Sequence, residues 1–126
     1  SLLEAVSFNT EAKPDRKIYG KDLVHTVDCY LARPRPLPDR VDEVAALFHS
    51  TPEHVSRVFK QTVGIALKDY MIGHRINQAK QLLAETAESV EAVGEQVGYP
   101  DVYHFSRLFK NRVGTSPMQF RRNYWH

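Results

Sequence analysis

His54-Val55-Ser56-Arg57-Val58-Phe59-Lys60-Gln61-Thr62-Val63-Gly64 returns fifty residues later as His104-Phe105-Ser106-Arg107-Leu108-Phe109-Lys110-Asn111-Arg112-Val113-Gly114. Seven of the eleven positions are identical and the other apolar pairs stay apolar, so the stretches are two copies of one unit. Tyr70 and Phe120 extend the same spacing. Two copies are too few for a solenoid, which leaves a duplicated motif. Each copy reads as an amphipathic helix. Val55, Val58, Phe59 and Thr62/Val63 share one face, as do Phe105, Leu108, Phe109 and Val113. Gly64 and Gly114 stop the helices at positions that tolerate a left-handed backbone. Thr51-Pro52 supplies an N-cap and a first-turn proline, and Pro100-Asp101 does similar work for the second copy.

Working outward, a shorter helix precedes each copy. Val41, Val44, Ala45 and Phe48 form one stripe with Asp39 as candidate cap, and Val90, Val93, Gly94 and Val97 form the other, capped by Ser89. A small residue, Ala45 or Gly94, stands where two crossing helices approach. Short helix, tight turn and second helix make a helix-turn-helix. The turns differ by one residue, since Ala45 to Phe59 is one position shorter than Gly94 to Phe109. A longer helix over 65–84 joins the units, its wide apolar face running through Leu67, Tyr70, Met71, Ile72, Ile76, Ala79, Leu82 and Leu83. Its roughly 30 Å length is close to the roughly 34 Å between successive major grooves on one face of B-DNA. Gly73 is a weak point within it. A helix over 22–32 turns Leu23, Val27, Tyr30 and Leu31 inward, 33–38 form an extended proline-rich connector, and a closing helix runs over 116–124 behind Ser116-Pro117. The expected fold is all-α, about seven helices in two helix-turn-helix subdomains joined by a long central helix. The expected parts are a first helix-turn-helix at 41–64, a connecting helix at 65–84 and a second helix-turn-helix at 89–114. Residues 1–19 read as a linker and 20–126 as the domain. With the Ser start, that linker points to an upstream sensor or dimerisation domain.

Composition agrees with one soluble domain: 126 residues with 42% hydrophobic and 25% charged leave no run able to span a bilayer. No basic-then-apolar leader precedes a cleavage site, which argues against secretion. The single cysteine, Cys29, excludes an internal disulfide framework and a multi-cysteine zinc site. The net charge of +2 hides strong segregation. Residues 1–53 sum to −2, 54–84 to +4, 85–101 to −5 and 102–126 to +5. Two basic segments in a near-neutral chain suit two contacts with a polyanion, though solvated helix faces would look the same. Enzyme chemistry finds no footing. No histidine pair has the helical i, i+4 ligand spacing, no Gly-rich phosphate loop occurs, and Cys29 among apolar neighbours reads as a buried structural thiol. No cofactor or metal is expected.

Gly98-Tyr99-Pro100-Asp101, Phe105-Ser106-Arg107-Leu108-Phe109-Lys110, Gly114-Thr115-Ser116-Pro117 and Phe120-Arg121 together resemble the signature of the AraC/XylS family of bacterial transcription regulators. The resemblance covers residues 20 to 124. It implies sequence-specific binding of double-stranded DNA by recognition helices 53–63 and 102–113 in successive major grooves. It also implies transcription regulation, activation being the family's usual mode, in the bacterial cytoplasm at the nucleoid. RNA polymerase is a further implied partner, with no membrane. The isolated domain is expected to be a monomer and the full-length protein a homodimer through a missing domain. The chain departs from the family at Tyr103, where a small residue is usual, at Gly94, where alanine is usual, and in having acidic Glu53 near the start of the first recognition helix.

Arg57 and Arg107 lead the base-contact candidates, because a guanidinium bonds bidentately to guanine O6 and N7. Surface pairing with an acid is the blander reading. Ser56 and Ser106 are small donors beside them, or simply keep the surface flat. Glu53 accepts from cytosine N4 or is held by the helix dipole alone, the second being favoured. Val102 and Tyr103 suit thymine methyls. His54 and His104 have packing or phosphate roles, and Lys60, Lys110, Arg112, Arg121 and Arg122 suit phosphate or solvent better than base edges. Phe59, Phe109, Leu67, Tyr70 and Phe120 are expected in the core, and Trp125 either on the last helix or disordered. The alternative from another class is a helical protein-interaction module that does not bind DNA specifically.

Overall fold

The computed structural model describes residues 17–33 and 39–125. The expected linker up to residue 16 and positions 34–38 of the expected proline connector lie outside the described residues. Among the described residues there are seven helices and no strand: α1 (Gly20–Leu31), α2 (Val41–Leu47), α3 (Pro52–Val63), α4 (Leu67–Glu85), α5 (Val90–Gln96), α6 (Val102–Val113) and α7 (Pro117–Trp125). They divide into two compact units, the boundary falling within α4 between Asp69 and Tyr70. The all-α expectation holds.

In the first unit, α1 and α2 both pack on α3. Leu23, Val27, Leu31, Val44, Val55 and Phe59 are wholly buried, with Ala45 and Leu67 nearly so. Gly20 allows a close approach, because a Cβ there would meet Thr62 Oγ1 at 2.0 Å and displace that side chain. Tyr30, expected inward, is half-buried with work for its hydroxyl. That hydroxyl donates to Glu43 Oε1 at 2.5 Å and accepts from the Arg40 amide at 2.9 Å, which pins the start of α2. Arg40 also pairs with Asp42 at 3.0 Å on the surface, and the guanidinium holds the Asp42 carboxyl below the usual carboxylate range.

In the second unit, α5 packs on α6 and α6 on α7 around Ile76, Ala79, Leu83, Val93, Val97, Phe105 and Phe109. Phe105, Phe109 and Phe120 continue as an aromatic chain with centroids 5.9 and 5.7 Å apart. Gly94 marks the expected close approach: a Cβ would sit 3.0 Å from both Phe105 Cδ2 and the Tyr99 carbonyl oxygen. Leu83, Ala84 and Thr86 sit where the end of α4 leaves carbonyls without partners of its own. Arg121 donates to the Leu83 and Thr86 oxygens at 3.0 Å, and the Trp125 indole donates to the Ala84 oxygen at 2.7 Å. Trp125 is therefore an anchor with the Arg121 guanidinium 5.0 Å from its ring centre.

Three of the expected caps, Thr51, Ser89 and Ser116, fall where the sequence puts them. Thr51 Oγ1 accepts from His54 N at 3.1 Å, Ser89 Oγ from Ala92 N at 3.0 Å, and Ser116 Oγ from Gln119 N at 3.1 Å. Gly64 and Gly114 adopt φ of 90° and 102°. Asp39 is a correction. It does not cap α2, whose N-cap is Arg40 with no side-chain bond. Its carboxylate instead receives Arg75 Nε and a terminal nitrogen, both at 2.9 Å, with Arg33 at 3.4 Å. Arg75 is 3% exposed in the middle of α4 and gives its remaining terminal nitrogen to Gln78 Oε1 at 2.9 Å. The long helix also starts two residues later than expected, since the turn after Gly64 occupies positions 64–66.

The two turns close the same way, Ser50 N on Ala45 O at 3.0 Å and Tyr99 N on Gly94 O at 2.7 Å. Each carries one left-handed residue, Gly98 at φ 98° and its counterpart His49 at φ 52°. Pro100 is then the extra residue of the second turn. A side chain in that conformation is strained where glycine is not. His49→Gly is expected to raise stability by about 1 kcal/mol, read as a higher urea midpoint with an unchanged slope. A lowered midpoint would show that the imidazole supplies more than the backbone strain costs.

Candidate nucleic-acid interface

Val55 and Phe59 face the first core, which turns the opposite face of α3 outward. Arg57, Lys60 and Gln61 are exposed there and Ser56 half-buried. With Glu53, Lys68, Ala66 and the rim of Val41 and Pro52 they line an open depression of about 600 Å³. Glu53 sits in the first turn of α3, where the helix dipole favours a carboxylate, and in the wall of the same depression, so both of its readings stand. His54 is half-buried with Nδ1 3.0 Å from Ser50 Oγ, a link that ties the turn to the helix.

The second unit repeats the arrangement with different chemistry at the helix start. Asp101, rather than Pro100, caps α6, accepting from Tyr103 N at 3.0 Å and His104 N at 3.2 Å. Phe105 and Phe109 face the core, and Arg107, Lys110 and Asn111 are exposed. With His104 and Leu108 they line an open depression of about 640 Å³. Tyr103 is 76% exposed at the first turn, with Val102 and Ser106 half-buried beside it. His104 is exposed and edge-on to the Tyr99 ring, centroids 5.7 Å apart. From Val102 to Val113 the helix carries Arg107, Lys110 and Arg112 and no acid, so its outer face presents only positive charge.

Each helix thus brings its own candidates together: Glu53, Ser56, Arg57 and Lys60 on α3, and His104, Arg107 and Lys110 on α6. Arg121 is a correction, because its guanidinium is turned to the end of α4 and is not presented for phosphate. Arg122 is exposed on α7 and leans on Gln119 Oε1 at 3.4 Å. Arg112 is exposed, and its charge is felt by the Tyr99 phenol. The sequence reading passed over Gln61 and Asn111. They line the two depressions at equivalent repeat positions, and their shared amide chemistry was the signal that could have found them. Cys29 is a further correction: it is exposed on α1, not buried.

Tyr99 links the second turn to α6. Its ring stacks on Phe105 at 6.3 Å. Burial, then the Asp39 charge, push its phenol above the ordinary value of 10.0, against Arg75 and Arg112. A folded pKa above the unfolded one leaves stability intact below about pH 10 and removes it as the pH climbs through the folded value. Urea unfolding at pH 9 and pH 11 is expected to show that loss in the native chain and a shallower one in Tyr99→Phe. Equal losses would remove Tyr99 from the account.

Among the described residues, no three His, Cys, Asp or Glu side chains gather as a metal site, and no helix is long and apolar enough to cross a membrane. The chain matches the model of a helix-turn-helix domain family over residues 44–123. It is 41% identical over 71 residues to the arabinose operon regulatory protein of Escherichia coli, covering 56% of this chain and 24% of that protein. Among solved structures it is similar to the C-terminal domain of AraT, a response regulator from Geobacillus stearothermophilus. That likeness has a TM-score of 0.75 and 30% identity over 80% of this chain and 84% of that one. It is also similar to the DNA-binding domain of AdpA, a global transcriptional factor solved in complex with a target DNA. There the TM-score is 0.73 and the identity 26%, over 81% of this chain and 91% of that one. The chain spans about a quarter of the length of the curated relatives it matches.

Proposed function

We propose, since the chain belongs to the AraC/XylS-type helix-turn-helix family, that it regulates transcription by binding double-stranded DNA sequence-specifically, with α3 and α6 in successive major grooves. The observation that carries this reading is the duplicated outer face. At matching repeat positions Arg57 and Arg107, Lys60 and Lys110, Gln61 and Asn111 stand exposed around two open depressions. An arginine one turn from an amide is the side-chain set that pairs bidentately with guanine and adenine edges. The flanking lysines supply phosphate contacts.

In this reading residues 20–126 form the DNA-binding domain, and it works by binding rather than by catalysis, in the cytoplasm at the nucleoid. Activation proceeds through RNA polymerase. The domain alone is a monomer, and the full-length protein dimerises through a domain upstream.

The test is selection of bound duplexes from a random pool at near-physiological salt. Two short motifs about one helical turn apart are expected to enrich, with affinity falling steeply as salt rises. No enrichment by the chain or by an artificially dimerised form would overturn the reading in favour of a helical protein-interaction module.

A further inference from the structure

The two outer faces differ in chemistry at the first helical turn. Glu53 and Tyr103, fifty residues apart in the repeat, hold the same place in α3 and α6. Glu53 is the only acid of α3, and α6 has none. Its side chain is exposed in the wall of the first depression, with Ser56, Arg57 and Lys60. Among the described residues no hydrogen bond or ion pair engages the Glu53 carboxylate, although Arg57 stands one helical turn on. The helix start does not need it as an acceptor either, because the Thr51 hydroxyl and carbonyl oxygens take the His54 and Val55 amides. Tyr103, in contrast, presents a neutral ring that is 76% exposed.

A carboxylate accepts hydrogen bonds and donates none. In the major groove cytosine offers an amine, guanine and thymine offer acceptors, and adenine sets its N7 acceptor beside its amine. The DNA phosphates repel the charge wherever no donor compensates it. We propose, resting on the DNA-binding reading above, that Glu53 is a specificity-determining residue that selects cytosine at one position of the first motif. It does so largely by rejecting the other three bases. Tyr103 leaves the equivalent position of the second motif without that selection, so the two motifs are unequal there.

The experiment selects duplexes from a random pool with the native chain, Glu53→Gln and Tyr103→Glu, and titrates the selected sequences with single base pairs exchanged. The first motif is the one that Arg57→Ala relaxes. There the native chain is expected to favour cytosine at one position by about tenfold. Glu53→Gln, whose amide matches both groups of adenine, is expected to prefer adenine at that position. It is also expected to bind unselected duplexes more tightly than the native chain does. Tyr103→Glu is expected to bring a cytosine preference into the second motif. Both positions are exposed, and urea unfolding checks that the variants fold. A carboxylate that serves only the helix dipole would lower the urea midpoint in Glu53→Gln and leave every base preference unchanged. That result, with two motifs still enriched, would overturn the proposal alone. No motif with the native chain or its dimerised form would overturn the DNA-binding reading and the proposal with it.

Discussion

Arg57→Ala and Arg107→Ala are each expected to weaken binding to a selected duplex by about 1–3 kcal/mol, with relaxed preference at one base-pair position apiece. The two residues belong to different compact units. Their effects are therefore expected to add, giving about 2–6 kcal/mol in the double variant. The size follows from geometry. Both guanidiniums are exposed on the polar faces of helices whose opposite faces are locked by Val55 and Phe59 or by Phe105 and Phe109. A loss of affinity would thus report a lost surface contact and not a fold defect. Lys60→Ala or Lys110→Ala is the contrasting control, with loss nearly uniform across sequences and a salt dependence shallower by about one unit of slope. Titration of labelled duplexes at several salt concentrations separates the two patterns. Unchanged affinity in the double arginine variant would remove both residues from the interface.

Asp39→Ala is expected to cost the second unit about 3–5 kcal/mol, because it strands the Arg75 guanidinium inside the fold. Arg75 is 3% exposed and directs Nε and one terminal nitrogen at the Asp39 carboxylate. Arg75→Met leaves the milder defect, since the Asp39 side chain keeps 14% of its exposure and Arg33 remains beside it. The double replacement of Asp39 by Ala and Arg75 by Met is expected to be more stable than Asp39→Ala alone, the signature of coupling in a mutant cycle. Guanidinium unfolding of the four proteins measures it. Additive losses would mean that the pair is not a unit.

Features set by neighbours three to five residues apart could be read from the sequence. Thr51, Ser89, Asp101 and Ser116 cap because each sits one residue before a helical pattern, and Gly64 and Gly114 end helices by the same local logic. The repeat placed both outer faces, since an identical apolar stripe must turn the same residues outward. Long-range partners were hidden. Asp39 stands just ahead of an apolar stripe, as a cap would, yet its partner Arg75 is 36 residues on. Arg121 looked like one more surface cation, and only folding brings it to carbonyls 38 and 35 residues away. Cys29 misled for a different reason. It follows Val27 closely in sequence, but two residues on a helix are far apart around the axis, and Val27 is buried while Cys29 is exposed.

The central claim is that α3 and α6 each read base edges from the major groove. Methylation interference at guanine N7 on a selected duplex tests it most directly, because that atom lies on the major-groove edge. Two clusters of interfering guanines about one helical turn apart are the predicted result, the clusters fading separately in Arg57→Ala and Arg107→Ala. A single cluster, or one that both variants leave intact, would contradict it.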